Sequence, residues 1–389
     1  MAEPASAPAG SAIGVVGGGQ LAMLLASAAR DLEVPFHIQT PSPHDPAAAL
    51  ATSVVLAGID DIPATRELAR RSTAITFENE WVDLHALAPL DFEGVLFVPS
   101  LEALLPLVCK RRQRLLLQGL GLPTPRWCEW PADGVLPADF SFPLMAKLAS
   151  GGYDGKGTVV IEGPEELASL PTRVAKGDWI LEEMVSFELE LSQLACRDRA
   201  GNLLCYPLVQ TRQHQQVCDW VLAPAPVPQA VQAYARNIAA SLITAINYVG
   251  VLSIELFYGP GGLQVNEIAP RTHNSGHLTI EAAHTSQFEQ QVRIVSGLPM
   301  GPVDLRVPGA LMVNLLGLEG SATDYSSQRE ALADLPGAHV HWYGKQGSNA
   351  GRKLGHITMV LNGVDPKERS CEAEELLARV RRIWPLPAA

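Results

Sequence analysis

The chain has 389 residues, of which 47 % are hydrophobic and 18 % charged, so a disordered protein is excluded and two or three domains of ordinary size are expected. Asp and Glu total 41 against 29 Lys and Arg, which gives a formal charge of −12. Binding to nucleic acid through phosphate neutralisation is therefore disfavoured, and any anionic substrate needs a local cluster of basic side chains.

Cysteine usage and the pattern of apolar residues favour a cytoplasmic protein without a membrane partner. The six cysteines form no CxxC pair, which favours reduced thiols over a disulfide framework or a zinc site. The most apolar stretch, residues 12–29, contains four glycines and is too interrupted for a transmembrane helix. Residues 1–11 hold an acid and no base, so they match neither a secretory signal nor a transit peptide and are predicted to be a disordered leader.

Strand and helix patterns alternate over the first hundred residues and predict an open α/β layer with a mostly parallel sheet. Predicted strands occupy residues 12–16, 35–39, 53–56, 74–77 and 94–98, and predicted helices occupy residues 20–30 and 101–117. From residue 125 the pattern changes to strand pairs separated by helices, so the whole chain is expected to be α+β. Later strands are predicted at 144–148, 158–161, 251–257, 262–268, 310–315, 339–343 and 356–361, and later helices at 231–246 and 373–382.

The first glycine turn, residues 17–22, satisfies the dinucleotide-binding pattern G-x-G-x-x-A. Such a turn presents backbone N–H groups and a helix N-terminus to an anion. A nicotinamide site also needs an acid at the end of the second strand, and the nearest one, Asp45, lies beyond two prolines. NAD binding is therefore disfavoured, while a phosphate or other ligand contact and a purely structural turn both stay open.

A second glycine segment, residues 151–157, follows the predicted strand that carries Lys147. Four glycines in seven residues can close over a polyphosphate without steric conflict, and Lys147 and Lys156 offer compensating charge. The Walker A pattern is not met. The alternative is an ordinary flexible hairpin.

Glu255 and Glu267 lie six residues on either side of Gly261, so a turn centred there places the two carboxylates opposite each other. Two such charges about 5 Å apart repel by roughly 3 kcal/mol at an effective dielectric constant of about 20. Mg²⁺, which proteins bind through carboxylates and nucleotide phosphates, is the cation that fits best between them. The alternative places one acid outward, or protonated, or paired with an Arg.

Two basic segments follow these acids. The first holds Arg271, His273 and Asn274, where Arg suits a bidentate grip on carboxylate or phosphate. The second holds Lys345, Arg352 and Lys353 among glycines, which favours an anion pocket in an otherwise acidic chain. The alternatives are structural histidines for the first segment and a solvated basic loop for the second.

Together these motifs resemble the ATP-grasp superfamily and, within it, the 5-(carboxyamino)imidazole ribonucleotide synthase family, the ATPase subunits of phosphoribosylaminoimidazole carboxylase. The phrases that carry the resemblance are GGGQLA at 17–22, TFENE at 76–80, GGYDGKG at 151–157, NEIAPRTHNSGH at 266–277, HWYGK at 341–345 and GRKLGH at 351–356. The resemblance implies a Rossmann-like pre-ATP-grasp domain at 12–105, an ATP-grasp domain at 106–300 with a lid at about 126–184, and a small β-rich C-terminal domain at 301–389.

The implied reaction phosphorylates bicarbonate with ATP, and the carboxyphosphate so formed carboxylates aminoimidazole ribonucleotide. The resemblance implies Mg²⁺ as the metal, with Mn²⁺ as an alternative, held by Glu255 and Glu267. It also implies a homodimer whose product passes to a separate mutase. The implied ATP contacts are Lys110, Lys147, the flap residues Gly151, Gly152, Tyr153, Asp154, Gly155, Lys156 and Gly157, the adenine hinge Glu182, Glu183, Met184 and Val185, then Glu190, His214, Asn266 and Glu267.

For the second half of the reaction the resemblance implies two further groups. Arg271, His273 and Asn274 are expected to hold bicarbonate or carboxyphosphate as catalytic residues. The expected contacts to aminoimidazole ribonucleotide are Gln20, Glu78, Tyr153, Lys345, Arg352 and Lys353. One departure is that Gln215 and Gln216 follow His214 where the family usually has a glycine.

Three other functions were open at this level. Another ATP-grasp enzyme, such as a formate-dependent glycinamide ribonucleotide transformylase or a biotin carboxylase, shares the metal hairpin, but the phrases at 76–80 and 351–356 favour the imidazole substrate. An NAD-dependent oxidoreductase is disfavoured because this sequence lacks the acid that would bind the ribose at the end of the second strand. A non-catalytic binding protein is disfavoured because both metal acids are present.

Overall fold

The computed structural model describes residues 10–131, 135–150, 157–173, 178–320 and 323–387. The strands are β1 (Ile13–Val16), β2 (Phe36–Thr40), β3 (Ser53–Leu56), β4 (Ala74–Phe77), β5 (Trp127–Glu129), β6 (Leu144–Leu148), β7 (Thr158–Ile161), β8 (Trp179–Glu183), β9 (Leu189–Arg197), β10 (Leu203–Cys205), β11 (Val209–His214), β12 (Val217–Ala223), β13 (Gly250–Gly259), β14 (Gly262–Ala269), β15 (Gly309–Leu316), β16 (Ala338–Trp342) and β17 (Lys353–Leu361). The helices are α1 (Gln20–Asp31), α2 (Ile62–Arg71), α3 (Leu84–Phe92), α4 (Leu101–Leu104), α5 (Lys110–Gly119), α6 (Pro164–Arg173), α7 (Gln229–Ala245), α8 (Thr279–Ala282), α9 (Gln287–Ser296), α10 (Ser326–Ala333) and α11 (Pro366–Ile383), with a 3-10 turn at Asn274–Gly276.

The N-terminal layer is a parallel sheet of strand order β3-β2-β1-β4. Every residue of β1 is buried, which is typical of a parallel strand covered on both faces. Helix α2 packs on β1 and β2, and α1 packs against α9, which comes from a much later part of the chain. The predicted α/β layer is therefore confirmed, and α9 anchors it to the rest of the molecule.

A small antiparallel sheet of order β5-β8-β6-β7 forms a separate layer. Its apolar face includes Leu144, Ala146 and Leu181, which pack with Leu167 and Leu170 of α6 in one buried cluster. The two central strands of this sheet, β6 and β8, carry Lys147 and Glu182.

The largest sheet has nine strands in the order β14-β13-β9-β11-β12-β15-β17-β16, with β10 added beside β9. The pairing of β12 with β15 is antiparallel, with Trp220 opposite Val313. The strands of the last ninety residues therefore extend the same sheet that holds the hairpin of Glu255 and Glu267. This continuity gives the C-terminal basic segment a fixed place relative to that hairpin.

Three predicted elements differ from the structure. Residues 94–98 do not form a full strand, and Phe97 makes only an isolated bridge to Ile75. The single helix predicted at 101–117 is two helices, α4 and α5, because Pro106 lies between them and has no N–H to continue the first. The last helix begins at Pro366, ahead of the prediction, because the Asp365 carboxylate caps its first turn. Among the described helices, none is both long and apolar enough to span a bilayer.

Candidate active site

The β13–β14 hairpin places Glu255 directly opposite Glu267, as the spacing predicted. The turn itself centres half a residue earlier than Gly261, because Gly259 pairs with Gly262. A register shift after Glu255 makes up the difference, so that Asn266 is an extra residue in β14. In such a bulge two residues oppose one, and both Asn266 and Glu267 contact lysines of the site.

The two carboxylates experience different electrostatic surroundings. Lys110, at the start of α5, donates to Glu267. Burial would raise the pKa of Glu267, but the Lys110 charge and hydrogen bond hold it below the usual range. Burial, and then the charge of Glu267, raise the pKa of Glu255 to about 7. The two carboxylates therefore repel each other, and a cation bound between them would relieve this repulsion.

Lys147 and Glu182 connect the small sheet to the hairpin. The Lys147 ammonium lies 2.8 Å from the Glu182 carboxylate and donates to Asn266 Oδ1 at 3.0 Å. The other Glu182 oxygen accepts from Arg114 Nε at 2.7 Å. Burial opposes ionisation, yet Lys147 and Arg114 together lower the pKa of Glu182 to about 2.

Arg114 was missed in the sequence, where it lies in a basic helix that resembles a solvated surface. It is 1 % exposed and also donates to the carbonyl oxygens of Val265 and Asn266, at 3.3 and 2.6 Å. The expected adenine hinge at Glu182 can therefore act through its backbone only, because its carboxylate is fully paired.

The groups expected near the ribose lie on two neighbouring strands. Glu190 accepts from the backbone N–H of Gln213 at 3.3 Å, and burial raises the pKa of its carboxyl group. His214 ends β11, and its Nε2 is buried with no hydrogen-bond partner in the described part of the chain. Gln215 and Gln216 in the turn have φ of 49° and 64°, a conformation that explains why glycine is usual there.

The first glycine turn is closed by a carboxylate from this chain. Glu78 accepts from the N–H groups of Gly19, Leu21 and Ala22, at 2.7, 3.2 and 3.5 Å. Burial raises the pKa of Glu78 although these hydrogen bonds oppose the rise. The donors that a ligand phosphate would use are thus occupied, which favours the structural reading of the turn.

Gln20, in the same turn, contacts the C-terminal basic loop. Lys345 Nζ donates to Gln20 Oε1 at 2.6 Å and to the carbonyl oxygen of Lys353 at 2.8 Å. Gln20, Glu78 and Lys345 therefore lie together although 325 residues separate the first from the last.

Arg271 makes a bidentate pair with Glu80, another residue that the sequence reasoning missed. The guanidinium donates to both carboxylate oxygens, at 2.5 and 3.1 Å. The signal was present, because Glu80 ends the TFENE phrase at 76–80. The pair fixes the orientation of Arg271 and balances its charge.

His273 and Asn274 have different environments. His273 Nε2 lies 3.4 Å from Glu255 Oε1, and burial, followed by Arg271, holds the pKa of this imidazole well below its usual range. The Asn274 amide exchanges hydrogen bonds of 2.9 and 2.6 Å with Asn314. His273 therefore faces the hairpin, while the amide of Asn274 is used in a buried pair.

The basic side chains of the C-terminal loop make contacts both within the loop and toward the hairpin. Arg352 donates to the carbonyl oxygens of Gln346 and Gly347, at 2.6 and 2.8 Å. The charge of Lys353 lowers the pKa values of both Glu255 and His273, which places its ammonium on the side of the hairpin. The flap residues Gly151, Gly152, Tyr153, Asp154, Gly155 and Lys156 lie outside the described residues.

Metal binding here would rest on two protein carboxylates. Among the described residues no group of three or more His, Cys, Asp or Glu side chains could hold a metal ion. Two carboxylates completed by nucleotide phosphates is the arrangement that Mg²⁺ takes in phosphoryl-transfer sites. Burial, and then repulsion from Glu267, raise the pKa of Glu255 to about 7, and a cation between the two carboxylates would offset both effects.

Comparison with known proteins gives the same assignment along the chain. Family models match a ribonucleotide synthetase preATP-grasp domain at residues 11–105, an ATP-grasp domain at 115–288, and a phosphoribosylaminoimidazole carboxylase C-terminal domain at 310–369. The predicted ATP-grasp architecture with flanking N-terminal and C-terminal regions is therefore confirmed.

Whole-chain relatives agree. The chain is 48 % identical to N5-carboxyaminoimidazole ribonucleotide synthase of Synechococcus elongatus, over 96 % of each chain. The crystal structure of the synthetase from Thermus thermophilus superposes with a TM-score of 0.84 at 36 % identity, covering 97 % of this chain and 100 % of that one. The Aspergillus clavatus enzyme in complex with ADP and 5-aminoimidazole ribonucleotide gives 0.86 at 27 % identity, covering 96 % and 99 %. The chain therefore belongs to the N5-carboxyaminoimidazole ribonucleotide synthase family of ATP-grasp proteins.

Proposed function

We propose that the protein is an ADP-forming ligase that carboxylates 5-aminoimidazole ribonucleotide with bicarbonate and ATP, through carboxyphosphate, in de novo purine biosynthesis. The observation that carries this proposal is the facing pair Glu255 and Glu267, with lysines on one side and with Arg271 and His273 on the other. A phosphate donor site and an oxyanion site thus meet at one hairpin.

The ATP side is served by positive charge held at fixed positions. Lys147 is kept in place by Glu182 and Asn266, and Lys110 by Glu267, so both ammonium groups are oriented before a nucleotide arrives. Mg²⁺ bound by Glu255 and Glu267 would supply neutralisation of the developing phosphate charge. In this proposal Glu190 would accept hydrogen bonds from the ribose hydroxyls, and residues 182–185 would supply backbone groups for the adenine.

The oxyanion side would be formed by Arg271 and His273. Arg271 is held by Glu80 through two of its nitrogens, and its third nitrogen donates to the carbonyl oxygen of Thr272 at 3.2 Å, so bicarbonate would accept from the N–H groups that remain. His273 lies within reach of the same hairpin. Closure of the glycine flap, Gly151 to Gly157, would exclude water, which otherwise hydrolyses carboxyphosphate.

The acceptor would bind between the first glycine turn and the C-terminal loop. Gln20, Glu78 and Lys345 already lie together, and Lys353 lies close enough to influence Glu255 and His273. We assign the ribose phosphate to Lys353, Lys345 and Arg352, and the aminoimidazole end to Glu78 and Tyr153. In this arrangement the acceptor amine faces the place where the carboxyl group is activated.

The test is ADP release with each substrate omitted in turn. We expect turnover only when bicarbonate and aminoimidazole ribonucleotide are both present, with label from ¹³C-bicarbonate appearing in the carbamate. Equal turnover with glycinamide ribonucleotide and formate, or with biotin, would reassign the enzyme within the ATP-grasp superfamily. A change in NADH fluorescence on mixing would revive the oxidoreductase alternative.

We further propose a cytoplasmic homodimer whose product is passed to a separate mutase. Support comes from the sequence resemblance, and from the name of the Synechococcus elongatus relative, which is that of a synthase alone. Exposed apolar side chains such as Phe92 and Leu56, 95 % and 61 % exposed, are available for subunit contact. Sedimentation equilibrium would test the dimer, and a monomer at micromolar concentration would contradict it.

A further inference from the structure

A row of buried serine hydroxyls lies behind His273. Ser275 Oγ is 2.9 Å from His273 Nδ1, and it is 2.7 Å from Ser192 Oγ. Ser192 Oγ is in turn 2.8 Å from Ser253 Oγ. All three serines are at most 1 % exposed. None of them was singled out in the sequence.

The strands explain why these hydroxyls meet. Ser192 is directly opposite Glu255 in the pairing of β9 with β13, and Ser253 is two residues before Glu255, so it lies on the same face of β13. Ser275 reaches them from the 3-10 turn that His273 begins. The hydroxyl row thus connects the strand that carries Glu255 to the far side of the His273 ring.

The row has one direction of donation that satisfies every donor. If Ser253 donates to Ser192, Ser192 to Ser275, and Ser275 to His273 Nδ1, each hydroxyl has an acceptor at 2.9 Å or less. The backbone N–H of Ser275 also points at Nδ1, at 3.4 Å, which requires that nitrogen to be an acceptor.

The reverse direction fails on two counts. It puts a hydrogen on His273 Nδ1, facing the N–H of Ser275. It also leaves the Ser253 hydroxyl with only the Ser275 oxygen at 3.4 Å as an acceptor in the described part of the chain. An unsatisfied buried donor costs about 1–3 kcal/mol, so the first direction is favoured and the ring proton lies on Nε2.

We infer that Ser275, backed by Ser192 and Ser253, is a positioning residue that holds His273 as an Nε2–H donor aimed at the oxyanion held beside Glu255. This inference rests on the proposed function for the identity of that oxyanion, bicarbonate or carboxyphosphate. In this state His273 donates a hydrogen bond to the reacting oxygen and does not remove a proton from it. The serines contact no substrate and act only through the ring.

The first experiment measures the ring itself, without turnover. We expect ¹⁵N NMR of the wild-type protein, with His273 identified by comparison with His273→Gln, to show a protonated Nε2 and an unprotonated Nδ1. In Ser275→Ala the two tautomers should become mixed. The opposite tautomer in the wild type would overturn the inference, whatever the substrate of the enzyme is.

The second experiment is kinetic. Ser275→Ala should lower kcat roughly ten- to a hundredfold, which is the usual cost of removing the hydrogen-bond partner that orients a functional histidine. The KM for ATP should stay unchanged. Ser275→Thr, which keeps the hydroxyl, should recover most of the activity. Ser296→Ala, which removes an equally buried hydroxyl of α9, is the matched control and should have wild-type kinetics. Full activity of folded Ser275→Ala would overturn the inference, and absence of aminoimidazole ribonucleotide-dependent turnover in the wild type would count against the proposed function alone.

Discussion

At the scale of single residues, the site is a set of charges that hold one another in place. Glu267 has Lys110, Glu182 has Lys147 and Arg114, and Arg271 has Glu80. In the part of the chain that the structure describes, Glu255 has only the weaker contact with His273, at 3.4 Å. Glu255 is thus the carboxylate of this set whose charge is least compensated, which supports the proposed cation site.

Glu267→Gln should remove most ATP turnover and leave the fold intact. The substitution keeps the shape but removes one of two metal-binding charges, so we expect a loss of several kcal/mol in transition-state stabilisation, at least about a hundredfold in rate. ADP release would be measured over a range of magnesium concentrations. Glu93→Gln, in an exposed pair with Arg66, is the control, and near-wild-type turnover of Glu267→Gln at moderate magnesium would reject the metal assignment.

Lys353→Ala should raise the KM for aminoimidazole ribonucleotide far more than the KM for ATP. Loss of a charge-assisted hydrogen bond to the ribose phosphate is worth about 1.5–3 kcal/mol, or roughly ten- to a hundredfold in binding. Lys367→Ala, at the start of the exposed helix α11, is the matched control. Equal rises in both KM values would mean that the loop merely supports the closed site, and no change would restore the solvated-loop alternative.

At the scale of elements, the turn between β1 and α1 binds the Glu78 side chain at close range. Gly17 has φ of +116°, and a Cβ there would lie 2.6 Å from both Cβ and Oε2 of Glu78. Neither contact can be relieved without moving the carboxylate away from the helix N-terminus. The glycines of this turn are therefore required by the close approach of the protein's own side chain.

Gly17→Ala should destabilise the fold by more than backbone strain alone. Gly94→Ala provides the comparison, because Gly94 also has a positive φ, of +93°, but open space around a Cβ. We expect about 1–2 kcal/mol for Gly94→Ala and a clearly larger loss for Gly17→Ala, measured by urea unfolding. Equal losses would show that Glu78 moves aside freely.

Much of this element-level organisation could be predicted from the sequence, because local patterns determine it. The parallel layer, the hairpin of Glu255 and Glu267 and most helices follow from periodicity and glycine placement. The partners of Glu182, Arg271 and His273 could not be predicted, because pairs such as Arg271 with Glu80 are 191 residues apart and depend on the tertiary fold. The bulge at Asn266 was also invisible, although the predicted facing of the two acids depended on it.

At the scale of the whole molecule, Arg114 links three parts of the fold. It comes from α5, pairs with Glu182 of the small sheet, and donates to carbonyl oxygens of β14 in the large sheet. Such a buried ion pair is weak evidence for stability by itself, since desolvation opposes it. It does fix how the small sheet meets the hairpin, and hence how Lys147 meets Asn266.

Arg114→Met should therefore destabilise the fold by about 1–3 kcal/mol, because Glu182 keeps Lys147 but the carbonyl oxygens of Val265 and Asn266 lose a buried donor. Glu182→Gln in the same background should cost less than it does in the wild type, since the contact between Arg114 and Glu182 is already lost. Urea unfolding of both single variants and the double variant gives the coupling energy. Additive losses would show that the two side chains do not act as a pair.

The single large sheet has a further geometric consequence. Five strand spacings separate β13 from β17, or about 24 Å in a flat sheet at about 4.8 Å per strand. Yet the charge at the start of β17 acts on Glu255 of β13. The ring of His277, which follows β14, also lies against the ring of His356 in β17, with centroids 4.9 Å apart and planes inclined by 40°. Residues 271–277 therefore run across the face of the sheet, since Asn274 bonds Asn314 of β15 and His277 contacts His356 of β17. The path of this segment sets how far the proposed anchor Lys353 stands from the carboxylates, so substitutions that shift it should uncouple the two half-reactions without touching a substrate.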